Sequence, residues 1–120
     1  MPTPFTFVLG AAAALALAGC SLIEQRVAGP HLVYRDASGA PTMQVDYPTK
    51  EMCLRVEEVA AKNAKCELHS EAGKLHARAV LWYNPPDMEV EAYYTDMASC
   101  QHANSRMARG VHLQKPCATR

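Results

Sequence analysis

An uncharged apolar run from Phe5 to Leu17, closed by the small residues Ala18 and Gly19 and then by Cys20, limits what the rest of this chain can fold into. The run has the apolar core and the small-residue end of a secretory signal. It is shorter than the roughly 20 apolar residues that a membrane-spanning helix requires. Met1 to Pro4 contain no Lys or Arg, so only the α-amino group supplies positive charge ahead of it. As a buried helix the run would need an apolar surface around it, and no later segment offers a face that large. Residues 1–19 therefore read as a signal peptide. About 100 residues remain, enough for one small domain with a modest core.

The stretch Leu17-Ala18-Gly19-Cys20 resembles the lipobox of bacterial lipoproteins. That resemblance implies cleavage before Cys20, attachment of palmitate-type acyl chains to its thiol and amine, and a chain held at the membrane by lipid. Ser21, where an Asp would favour retention at the inner membrane, implies the outer membrane, facing the periplasm. One acyl chain holds only marginally, at about 0.8 kcal/mol per buried CH₂, whereas two or three together anchor stably. Residues 20–30 read as the lipidated cysteine and a tether. With Cys20 assigned to lipid, Cys53, Cys66, Cys100 and Cys117 remain. An even set in a small exported domain argues for two disulfides. Zinc ligands usually come in close Cys-x₂₋₄-Cys or His-x₃₋₅-His pairs, a spacing these residues lack, so no metal and no cofactor is expected.

Twelve basic and twelve acidic side chains balance. With no basic patch and no long run of one sign, the chain has no electrostatic footprint for nucleic acid. Beyond Cys20 there is no Phe, only Trp82, Tyr34, Tyr47, Tyr83, Tyr93 and Tyr94, so Val, Leu, Ala and Met must build the core.

An internal repeat organises residues 31–117. Pro41-Thr42-Met43-Gln44-Val45-Asp46 matches Pro86-Asp87-Met88-Glu89-Val90-Glu91 at an offset of 45, and each motif leads through tyrosine and threonine to a pair of cysteines. Residues 31–69 and 79–117 thus each read as strand, strand, helix, strand. In the first copy, strands over 31–36 and 43–47 flank a turn at Ala37 to Ala40. Thr49 caps a helix running to about Lys62 with Met52, Val56, Val59 and Ala60 on its apolar stripe, Asn63 ends it in a left-handed conformation, and Cys66 opens a strand. In the second, Leu75 to Tyr83 and Met88 to Tyr94 flank Asn84-Pro85-Pro86-Asp87. Thr95 caps a helix running to about Arg109, and a strand from Val111 stops short of Pro116. A duplicated unit carrying its own staple predicts the pairs Cys53–Cys66 and Cys100–Cys117, the first requiring its helix to end early, near Ala60 or Ala61.

Candidate chemistry is sparse. His31, His69, His76, His102 and His112 form no spaced pair, and Met43, Met52, Met88 and Met97 fall on apolar faces where Met fills core gaps. No Gly-x-Ser-x-Gly is present, and Glu57, Glu58, Glu89 and Glu91 read as solvated faces, so no enzyme activity is expected. The aromatic residues near the proline turn stand out. Alternation sends Trp82 and Tyr83 to opposite faces, and Tyr93 and Tyr94 likewise, so one of each pair is expected in the core and one at the surface. Trp82, Tyr83, Asn84, Pro85, Pro86 and Tyr93 form the candidate interaction surface, since exposed aromatics favour binding. The expected fold is α+β, a small antiparallel-rich sheet with two helices on one face; a ferredoxin-like arrangement is the nearest named alternative. The expected function is a non-catalytic, envelope-anchored lipoprotein that binds another envelope protein, or else an inhibitor of an extracytoplasmic hydrolase that inserts the proline turn into a cleft.

Overall fold

A computed structural model describes residues 28–120. The signal run, the lipobox and most of the tether lie outside the described residues. The elements follow the expected order: β1 (His31–Arg35), β2 (Pro41–Asp46), α1 (Lys50–Glu57), β3 (Ala64–Glu67), β4 (Ala77–Tyr83), β5 (Met88–Tyr94), α2 (Met97–Asn104) and β6 (Val111–Thr119). They form one six-stranded sheet in the order β3-β1-β2-β5-β4-β6, with every neighbouring pair antiparallel. β2 and β3 run parallel with β1 between them, so α1 is the crossover that links them, and α2 does the same for β5 and β6. The protein is α+β, two β-β-α-β units joined edge to edge through β2 and β5; a ferredoxin-like β-α-β-β-α-β order is not what is found.

The two units correspond at a spacing of 47 rather than 45. Tyr47 and Tyr94 end the second strand of each, Thr49 and Asp96 cap the helices, and Cys53 and Cys100 occupy the same helical turn. Leu32 pairs with Val45 just as Ala79 pairs with Ala92, and across the joint Val45 pairs with Ala92 itself, so a local two-fold axis passes through that pair. The motif at offset 45 is two residues out of spatial register. A slip of two preserves which face each side chain takes, and the resemblance therefore survives it.

One face of the sheet carries the core. Leu32, Val45, Tyr47, Ala64, Cys66, Ala77, Ala79, Leu81, Val90, Ala92 and Tyr94 alternate inward and pack with Cys53 and Cys100 from both helices. Both helices lie on that face, each stapled to an edge strand by the expected disulfides: Cys53–Cys66 ties α1 to β3 and Cys100–Cys117 ties α2 to β6, both with Cα atoms 6.0 Å apart. The first bond sets the end of α1. The chain must return to Cys66 within the reach of a disulfide, and the helix stops at Glu57, short of the expected Lys62, leaving Val59 86% exposed instead of on an apolar stripe.

Other boundaries also shift. Asn63 is not left-handed; its side-chain amide donates to the Arg35 carbonyl and its own carbonyl accepts from the Arg35 amide, closing the β1–β3 end. The α2 cap is Asp96 rather than Thr95, its carboxylate accepting from Ser99 N at 2.7 Å, and α2 ends at Asn104, short of Arg109. β6 continues through Pro116 to Thr119, because on an edge strand a proline's missing N–H can face solvent. The end of the tether belongs to the domain. Pro30 O accepts from Tyr47 N at 3.0 Å, and Gly29 lies so close to β3 that a Cβ there would sit 2.4 Å from Glu67 O.

Candidate functional site

The sheet face that bears Glu89 and Glu91 was expected to be solvated, yet part of it is covered. Residues 68–76, linking β3 to β4, cross it as a strap containing a short 3₁₀ turn at Ala72–Lys74. Beneath it Val33 and Gln44 have no exposed surface, Val80 and Tyr93 are buried as well, and the strap's own Leu75 is buried with them. Gln44 is the pin. Its amide donates to Asp46 Oδ1 at 2.7 Å and to Ser70 Oγ at 2.9 Å, while its Oε1 accepts from Glu71 N at 2.7 Å. Arg35 holds the strap from the other side, forked onto Glu67 at 2.6 and 3.0 Å and reaching Glu71 at 3.4 Å. Lys74 and Arg35 together hold the Glu71 carboxyl below its ordinary value. The C-terminus closes the arrangement: the Arg120 guanidinium lies 4.8 Å above the Tyr93 ring and donates to the carbonyls of Ala72 and Leu75. Tyr93, whose hydroxyl donates to Glu91 Oε2 at 2.6 Å, is pushed up to about 12, chiefly by burial.

Next to the strap, His31 Nδ1 lies 2.7 Å from Asp46 Oδ1. With Ser70 nearby, these are the residue types of a hydrolytic triad. The connectivity is different. Ser70 Oγ accepts from Gln44 Nε2, itself 3.4 Å from the same His31 Nδ1 that faces Asp46, so the serine sits on the side of the imidazole already committed to the carboxylate. The set is built to hold the strap and has no base aimed at a nucleophile.

The strap leaves the β4–β5–β6 end of this face uncovered, and Trp82 stands there, half-buried. It pairs with Glu89 on β5 and His112 on β6, with the indole and imidazole centroids 5.5 Å apart at 34°. Its Nε1–H donates to Asp87 Oδ1, which ties the indole to the turn that follows β4. That turn is held in place: Asn84 N donates to Gly110 O at 2.8 Å, and Gly110, at φ +84°, has no room for a side chain beside Asn84 O. Both bonds into Pro85 and Pro86 are cis. Trp82, Asp87, Glu89 and Gln114 line a shallow cleft of about 450 Å³. An indole, two carboxylates and an amide suit a positively charged group, which gains from both the ring face and the carboxylates.

The candidate surface read from the sequence is thus divided. Trp82, Asn84, Pro85 and Pro86 lie together and reach solvent. Tyr83 points to the helix face, and Tyr93 is buried under the strap and Arg120, so both Tyr93 and Tyr94 belong to the interior. On the helix face Tyr47 has the Tyr83 hydroxyl beside it, and burial pushes Tyr34, Tyr47 and Tyr94 above the ordinary phenol value. Asp87 belongs to the turn already singled out, whereas Glu89, His112 and Gln114 were missed as members of the site; the pairing of Trp82 with Glu89 and His112 was the signal that contained those two.

Among the described residues no three of His, Cys, Asp and Glu are placed to hold a metal ion, and no helix is long and apolar enough to cross a membrane. No protein family, curated protein or solved structure matches the chain.

Proposed function

We propose that the chain is a lipid-anchored, non-catalytic contact module of the bacterial envelope, held through Cys20 at the outer membrane and facing the periplasm. One observation carries the reading: on a sheet face partly covered by the strap, Trp82 stands half-buried beside a cleft bearing Asp87 and Glu89. A large aromatic with carboxylates around it is a surface that a protein partner with a basic side chain can use. The lipobox resemblance and the two disulfides favour an anchored, exported contact module.

Inhibition of an extracytoplasmic hydrolase is the second reading, and the fixed Asn84 to Asp87 turn favours it. Pinned by Gly110 and by the Trp82–Asp87 bond, such a turn could enter a cleft with little ordering cost. Crosslinking in intact cells followed by purification of the full chain tests both. A partner recovered by the wild type and lost with Trp82→Ala supports the contact module, and a hydrolase lost on replacing the turn supports inhibition. Recovery of the same partners by both variants would contradict the assignment of this surface.

A further inference from the structure

The two disulfides occupy equivalent places in the two units, yet their surroundings differ. In the first, Cys53 is fully buried and Cys66 is 6% exposed. At the place equivalent to Asn104, Glu57 accepts from Cys66 N at 2.8 Å and pins β3 over the bond. In the second, Cys100 is fully buried but Cys117 is only half-buried, on an edge strand whose other residues are almost all exposed. Cys117 also lines a cleft of about 260 Å³ with Gln101, Asn104, Ser105, Leu113 and Pro116. The Asn104 amide nitrogen lies 3.4 Å from Cys100 Sγ and 3.3 Å from Cys117 Sγ. Its orientation is fixed, because Oδ1 accepts from the Tyr94 hydroxyl at 3.4 Å and Nδ2 also donates to Cys100 O at 2.9 Å.

We propose that Cys100–Cys117 is a thiol–disulfide exchange site whose substrate is a protein dithiol that reaches Cys117 through this cleft. The incoming thiolate attacks Cys117 Sγ, forming a mixed disulfide, and the bond to Cys100 breaks. The electron pair leaves on Cys100 Sγ, where the Asn104 N–H stabilises the buried thiolate until it takes up a proton. The partner's second thiol then attacks its own sulfur in the mixed disulfide and releases Cys117 as a thiol. Two electrons and two protons pass from the dithiol to the chain, which ends as a dithiol while the partner ends as a disulfide. Cys53–Cys66, closed on both sides, does not take part and keeps the first unit stapled. Asn104 acts on the leaving sulfur directly, through its N–H, and supplies no atom to the exchange.

The test uses the full chain in detergent, dithiothreitol as the probe dithiol, timed alkylation and peptide mapping. Cys100–Cys117 is expected to open at least ten-fold faster than Cys53–Cys66 under native conditions, and glutathione disulfide added to the reduced chain to be recovered on Cys117 rather than on Cys100. Asn104→Leu, with the same branching but without the donor, is expected to slow opening about five-fold, the worth of one hydrogen bond, and Asn104→Asp to slow it further by placing a carboxylate beside the leaving thiolate. Circular dichroism of each variant establishes that it is folded before its rate is read. Equal opening of the two bonds, or glutathione on Cys100, would overturn the site; unchanged rates in both folded variants would overturn the role of Asn104.

Discussion

Replacing Gln44 removes the pin of the strap, and the structure sets the cost. Gln44→Ala deletes two donated hydrogen bonds, one of them to the Asp46 carboxylate, and one accepted from Glu71 N, in a side chain with no exposed surface. At about 1 kcal/mol per bond, more to a charged acceptor and less where water can enter beside the exposed Ser70, the loss is about 3 kcal/mol. For a domain of this size that lowers Tm by roughly 10 to 20 °C. Gln44→Glu is nearly isosteric but turns the donor that faces Asp46 into a second carboxylate. Two carboxylates in contact raise the proton affinity of the pair in the folded state above that of the unfolded chain. The added penalty is therefore absent at low pH, where both states are protonated, and grows as pH rises past the unfolded carboxyl value of about 4. Urea unfolding of both variants at pH 4 and pH 8, with hydrogen exchange at Glu71, makes the comparison. Gln44→Ala within 0.5 kcal/mol of the wild type, with the Glu71 amide still protected, would refute the claim that Gln44 holds the strap.

Three further outcomes are expected. The Asp96 carboxyl is held below its ordinary value by the Ser99 N–H it accepts, so Asp96→Ala lowers Tm at pH 7 and loses this difference as pH falls through the carboxyl range, while Asp96→Asn retains most of the cap; an equal effect at every pH would contradict it. Burial raises Tyr34, Tyr47, Tyr93 and Tyr94, so the folded chain keeps these phenol protons to higher pH than the unfolded one: stability is undiminished below about pH 10 and falls above it, and an absorbance titration should show a step in phenolate on unfolding. Elemental analysis of protein purified without added metal should find no stoichiometric zinc or copper; a bound equivalent would require ligands that the described residues do not assemble.

What the sequence made legible was what depends on local pattern and counting. Alternation in Met43 to Tyr47 and Met88 to Tyr94 placed the central strands, and four cysteines in two copies placed the staples, because each copy had to carry its own. What it hid was decided by distant contacts. Residues 58–62 suit a helix, yet the Cys53–Cys66 bond turns the chain before them. Pro116 reads as a stop until β6 proves to be an edge. Gln44 and Tyr93 alternate toward solvent, and only the strap and Arg120 put them inside. The surface around Trp82 was legible for the indole and the turn with Asp87, but Glu89 and His112 join it through the pairing of three strands.

The proposed placement in the envelope rests on the anchor at Cys20, and the oxidising compartment and a contact surface held at the membrane are proposed from it. Intact mass and N-terminal peptide mass of the protein extracted from the envelope test it directly. The expected result is a chain that begins at Cys20 and carries the mass of acyl chains on that residue, with Cys20→Ala accumulating as the uncut precursor. A chain that retains Met1, or one cut elsewhere with an unmodified Cys20, would contradict it.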